Sequence, residues 1–221
     1  DTADFVPQII GSRVESFGRF APAAGAFAID PANPNNAQFF ADNGLDAAAT
    51  QGLGEAAYAY YRFSNVGPRD NYVTDMTGSL NLGFEGTVTT ESVGDMQWNA
   101  GYMYSKTDNK ENGTGYVLKS AAQKAIAAGQ FVPKSTAAMA AATSRRSTMD
   151  FYQWYAGVQW DMGELPAGPV SWYAGAEYND WVYTGKYDAQ SEAGNIIGSA
   201  GNSSGGVRDV TAAYVESLVP I

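Results

Sequence analysis

The feature that most constrains this 221-residue chain is an alternation with a period of two. From Met96 to Tyr104 every second residue is bulky or apolar: Met96, Trp98, Ala100, Tyr102, Tyr104. Between them stand Gln97, Asn99, Gly101, Met103 and Ser105. A second run sets Tyr152, Trp154, Ala156, Val158, Trp160 and Met162 against Phe151, Gln153, Tyr155, Gly157, Gln159 and Asp161. Side chains on a strand point alternately to opposite faces, so this pattern predicts strands whose two faces meet different environments.

Further strands are predicted over 58–63, 72–85 and 170–179, with a last one over 208–218. Whether 58–63 and 72–85 form one strand kinked near Pro68 or two separate strands stays open, since a proline in a ladder marks a bulge or an edge. Residues 1–54, rich in Ala, Gly, Pro and Asn, read as a long loop with a helical turn near Ala37 to Phe40. The roughly forty residues after Lys106 read as a long connection with short helices over 117–128 and 135–143.

Composition narrows the function classes. The chain has no Cys and no His, which removes disulfides, thiolates, the commonest general base and the commonest transition-metal ligand. An enzyme is not expected, and neither is a cofactor or a bound metal. A net charge of −10 argues against nucleic acid. No apolar run is long enough for a transmembrane helix, although a spanning strand needs only about 9–11 residues.

Connections alternate between short and long, as in a transmembrane barrel with short turns on one side and long loops on the other. That order puts Trp98, Trp160 and Trp172 at one level and Tyr104, Tyr152 and Tyr178 near the opposite one. The eight steps from Tyr152 to Trp160 span about 27 Å of strand, or roughly 19 Å of height when tilted, against an apolar band of about 25 Å. A β-sandwich with one face on its core accounts for the same alternation. The small, polar opposite set favours a barrel with a water-filled lumen.

In that arrangement Gln97, Asn99, Tyr155, Gln159, Tyr173, Glu177 and Asn179 are the lumen-facing candidates, and two readings of Tyr155 and Tyr173 stay open, stacking on a sugar or, with equal ease, filling space. Asp75, Glu85, Asp161 and Glu177 fall on the same inner face as scattered charges, not as a catalytic pair. Seven of the thirteen cations fall within 106–146, where Asp108 and Glu111 are the acids. That stretch reads either as a solvated loop with helical Lys or as a basic loop in which Lys119, Lys124, Arg145 and Arg146 are the candidate contacts for anionic lipid headgroups or an anionic ligand at the outer surface.

Several runs resemble the barrel region of TonB-dependent outer-membrane receptors. They are Tyr61-Arg62-Phe63-Ser64-Asn65-Val66-Gly67-Pro68-Arg69, Trp98-Asn99-Ala100-Gly101-Tyr102-Met103-Tyr104-Ser105, and Leu165-Pro166-Ala167-Gly168-Pro169 leading to Gly175-Ala176-Glu177-Tyr178. Gly201-Asn202-Ser203-Ser204-Gly205-Gly206 and the closing Ala213-Tyr214-Val215-Glu216-Ser217-Leu218 follow in order. Asn179-Asp180-Trp181 departs from the basic-then-acidic pattern usual there, and residues 1–54 match only as loop.

The resemblance implies an all-β, antiparallel transmembrane barrel segment of about five or six strands with long outer loops. Residues 55–221 would be part of that barrel and 1–54 one of its outer loops. Both ends read as cut, the plug is missing, and the slice alone would not transport. The implied setting is the outer membrane of a Gram-negative cell. The implied partners are membrane lipid, lipopolysaccharide, a scarce nutrient (ferric siderophore, cobalamin or oligosaccharide), and TonB through the missing plug. The rival readings are a secreted β-sandwich that binds carbohydrate and a small passive barrel of about eight strands.

Overall fold

The computed structural model describes residues 1–54, 57–130 and 138–221. Nine strands, four short α-helices and one 3-10 turn (Pro34–Asn36) are present among them. The strands are β1 (Thr2–Phe20), β2 (Ala24–Ile29), β3 (Ala57–Arg62), β4 (Arg69–Thr90), β5 (Gly94–Leu118), β6 (Ala140–Leu165), β7 (Gly168–Tyr187), β8 (Ile196–Ile197) and β9 (Ser204–Leu218). The helices are α1 (Ala37–Asp42), α2 (Ala47–Gly52), α3 (Lys119–Ala127) and α4 (Ala189–Glu192).

The large sheet runs in the order β1-β4-β5-β6-β7-β9, every neighbour antiparallel, with the two-residue β8 pairing the end of β5. Its strands are unusually long. The 25 residues of β5 correspond to about 80 Å of extended chain. Register keeps the alternating sets together: Gln97 faces Gln159, Asn99 faces Gly157 and Gly101 faces Tyr155, and Gln159 in turn faces Tyr173. Trp98, Ala100, Tyr102, Trp154, Ala156, Val158, Ala174 and Ala176 therefore share the other face.

The sheet is open. Its outermost strands, β1 and β9, have no partner on their outer edges among the described residues. This corrects the barrel, in both its receptor-slice and its eight-strand forms. Alternation reports that two faces differ; it carries no information on curvature or closure, which depend on strand number, tilt and stagger. An open edge also leaves N–H and C=O groups that hydrocarbon cannot satisfy. The outer-membrane location, with lipid, lipopolysaccharide, imported nutrient and TonB as partners, falls with the barrel. No helix is long and apolar enough to cross a membrane among the described residues.

Among the described residues no second layer covers the apolar face, where Phe84 is 48% and Trp154 58% exposed. Burial is concentrated at one end of the sheet. There Ala23, Phe27, Ile29, Phe40, Phe63, Val117, Ala122, Ala125, Met139 and Ile197 form one cluster. It is assembled from the β2–β3 ribbon, α1, α3, β8 and the end of β5. We refer to this unit as the cap. Phe63 sits edge-on to both Phe27 and Tyr61, with ring centroids 5.8 and 4.9 Å apart.

Several local expectations change. Thr2–Phe20 is a strand along β4, not a loop, whereas α1 falls where a helical turn was expected. The stretches around Pro68 are two strands in two sheets. The helix predicted over 117–128 is α3. The one over 135–143 is replaced from Ala140 onward by β6, while 135–137 lie outside the described residues. The forty-residue connection shrinks accordingly, because β5 runs on to Leu118.

Candidate functional site

The polar face of the sheet is organised by tyrosines laid across glycines of the preceding strand. A Cβ on Gly101 of β5 would lie 2.5 Å from the Tyr155 hydroxyl of β6. On Gly157 it would collide with the phenol end of Tyr173 of β7, and on Gly175 it would lie 2.6 Å from Cζ of Tyr214 of β9. Glycine weakens a strand because it offers nothing to pack; an aromatic ring laid over it restores that packing. The hydroxyls are anchored at the far side. Tyr155 donates to Asn81 Oδ1 at 3.3 Å and Tyr173 to Asn99 Oδ1 at 3.2 Å. The Tyr173 and Tyr214 rings stack at 5.9 Å, and a hydrogen bond to Tyr173 holds the Tyr214 phenol above its usual range.

At the end of this row, beside the short turns, is a recess of about 390 Å³ lined by Asp4, Glu85, Thr87, Gln97, Asn99, Gln159 and Tyr173. Asp4 and Glu85 are directly opposed across the β1–β4 ladder. Like charges in that relation destabilise a sheet, so the pair calls for an explanation outside folding. No cation lines the recess. No metal-binding cluster of His, Cys, Asp and Glu occurs among the described residues.

The seven expected lumen residues do share one face, but it is the open polar face of the sheet and encloses nothing. Gln97, Asn99, Gln159 and Tyr173 meet in the recess. Tyr155 lies further up the row and belongs to the tyrosine anchors. Glu177 accepts from Gln153 at 3.2 Å, and Asn179 is buried in the ladder. Of the other acids, Asp75 accepts from Asn109 and Asp161 from Ser171, so only Glu85 belongs to the recess. Asp4 was missed because it lies in the stretch taken for loop. The short alternation Thr2, Asp4 against Ala3, Phe5 was the available signal, ended by Pro7.

The four anion candidates are not brought together. Lys119 and Lys124 stand on α3 in the cap. Arg145 and Arg146, as neighbours in a strand, point to opposite faces. Arg146 grips Asp108 through two bonds of 2.9 and 2.6 Å, holding that carboxyl below its usual range. Arg145 lies over Tyr187, with 5.3 Å from guanidinium to ring centroid, and a hydrogen bond to Tyr183 raises its pKa.

The Arg146–Asp108 pair belongs to a charged band beyond the apolar one. Lys106 meets Asp150 at 3.2 Å, Lys110 approaches Asp108 at 3.8 Å, and Tyr104 donates to Asp150 at 2.7 Å. That bond to Asp150, with some burial, pushes the Tyr104 phenol up to about 12.

Comparison with family models finds no match for this chain, and no curated protein or solved structure matches it either. The resemblance to TonB-dependent receptors is therefore not sustained: the runs that carry it lie partly on the β2–β3 ribbon and partly on a large sheet that does not close among the described residues.

Proposed function

We propose that this chain is a non-catalytic binding module that takes a neutral, polyhydroxylated ligand, an oligosaccharide, into the recess at the end of the tyrosine row. The observation that carries the reading is the unneutralised Asp4–Glu85 pair set among amide side chains. Carboxylates only accept hydrogen bonds, whereas Gln97, Asn99 and Gln159 both donate and accept. A sugar hydroxyl does both, so a run of hydroxyls satisfies this set where an anion would be repelled. Tyr173 adds an aromatic surface of the kind on which a pyranose ring can lie.

The test is calorimetric titration with a panel of soluble neutral oligosaccharides. Glu85→Ala removes a charged acceptor, which is worth about 1.5–3 kcal/mol, so affinity is expected to fall at least about tenfold. Tyr173→Ala weakens binding as well, and Trp154→Ala on the opposite face leaves it unchanged. The proposal fails if no neutral saccharide binds, or if Trp154→Ala abolishes binding while Glu85→Ala does not.

A further inference from the structure

Where the strands of the large sheet approach the cap, its polar face carries a second recess, of about 220 Å³. The lining includes Glu111 and Tyr116 of β5, Thr143 and Arg145 of β6, Tyr187 of β7, and Ser199 beyond β8. This recess is far from the first one. Asn99 and Glu111 stand on the same face of β5, about 40 Å apart along the strand. The register of β5 against β6 shifts between Gly113 and Tyr116, and an irregularity of this kind re-aims side chains beside a site. Here the Tyr116 hydroxyl donates to Asn71 Oδ1 at 3.0 Å, and Asn71 Nδ2 donates to Glu111 Oε1 at 3.0 Å. The Glu111 carboxylate is thereby held by Asn71.

Arg145 is held from the other side, by stacking. Its guanidinium lies 5.3 Å from the centroid of the Tyr187 ring, and that ring presses on Gly201 so closely that a Cβ there has no room. Among the described residues Arg13, Arg19 and Arg146 each bond a carboxylate. Arg145 bonds none, although Glu111 is directly opposite it across the β5–β6 ladder. Its Nε is buried without a hydrogen-bond partner. Glu111 and Arg145 are also the charged residues of the lining, one of each sign. The recess thus presents a guanidinium lacking a carboxylate and a carboxylate lacking a cation, each anchored by a different neighbour.

We propose that this recess binds a small free α-amino acid as its zwitterion, the ligand carboxylate accepting from Arg145 and the ligand ammonium donating to Glu111. Arginine only donates hydrogen bonds and an ionised carboxylate only accepts them, so the two protein groups need a ligand that offers both partners. Bonds of this charged type are the strong ones. A simple anion satisfies Arg145 but is repelled by Glu111, and a simple cation meets the reverse. The hydroxyls of Thr143 and Ser199 turn to donate or accept as the ligand requires. The space is below the roughly 300 Å³ at which pockets for drug-sized ligands begin, which suits a short side chain.

The test is calorimetric titration of the full chain with glycine, L-alanine and L-serine, set against acetate and methylammonium. The amino acids should bind. Acetate and methylammonium, each lacking one of the two charges, should bind at least about tenfold more weakly. Glu111→Gln keeps an acceptor for Asn71 and removes the charge; it should weaken the amino acids at least about tenfold and leave acetate no weaker. Arg145→Gln should weaken both, and should this variant not fold, Glu111→Gln carries the test alone. Arg146→Gln, on the opposite face, should leave amino-acid binding unchanged. Failure of all three amino acids to bind would overturn the proposal. Acetate binding as tightly as glycine, with Glu111→Gln tightening both, would overturn it in favour of a simple anion site. Oligosaccharide titration reads the other recess, so either reading can fail without the other.

Discussion

Ile29 in the cap is wholly buried, whereas Ile9 in β1 is 81% exposed, although both are isoleucines in strands. The cap gains its stability from apolar side chains removed from water, each worth roughly 1.5–3 kcal/mol when fully buried. Along the sheet the same residue types cover one surface of a single layer, and order comes from continuous ladders. Cross-strand contacts add to it: Tyr102 with Trp154 at 4.5 Å, Tyr104 with Tyr152 at 5.1 Å, and the tyrosines lodged over glycines. The lesson is that one chain can hold a shape by two means, an apolar core in one region and strand pairing with local ring packing in the other.

The largest effect that tests this contrast is in the cap. Phe27→Ala should cost about 3–5 kcal/mol in chemical denaturation, because its ring packs edge-on to Phe63 in the buried cluster. Trp154→Ala, at a 58% exposed position, should cost only about 1 kcal/mol, mainly its ring contact with Tyr102. Equal losses would break the comparison and show that the sheet face is covered in solution.

Next in size is Gly157→Ala. The added methyl displaces the Tyr173 phenol, and overpacking of this kind costs about 1–3 kcal/mol. In a double-mutant cycle, Tyr173→Ala should relieve most of that loss; purely additive costs would mean that the ring does not depend on the glycine.

The smallest effect is a titration. Tyr104 ionises at about 12 in the folded chain, against about 10 for a free phenol. Its contribution to stability is complete below the unfolded value and is lost as pH rises from there through the folded one. Absorbance at the phenolate band should show one late-titrating tyrosine, and Asp150→Asn should bring it down towards the ordinary value. A profile unchanged by Asp150→Asn would remove that hydrogen bond as the cause.

How much of this was legible in the sequence depends on where each segment lies. The middles of β5, β6 and β7 were readable because one of their faces is apolar throughout. Beyond the band, Thr107-Asp108-Asn109-Lys110-Glu111-Asn112-Gly113 reads as loop, yet it is strand. It is held by pairs that no hydrophobic pattern encodes, among them Thr77 with Thr107, Asn71 with Glu111 and Arg146 with Asp108. β1 was hidden for a related reason: Pro7, Gly11 and Gly18 signal turns, and an edge strand exposed on both faces offers little periodicity to outweigh them. With β1 went Asp4, one of the two acids of the recess. The amides and Tyr173 were found because they stand on well-patterned strands.

The connectivity of the large sheet also sets an order of events. β4 to β7 form successive hairpins, so each can zip onto the one before it as soon as it is made. β1 precedes the other strands of this sheet in the sequence, but its partner β4 begins only at Arg69, after the β2–β3 ribbon has been laid down. Closing a loop of that length must precede any gain from pairing. β1 is thus left waiting for its seat on β4, and is the part of this sheet with the longest time to find a wrong one.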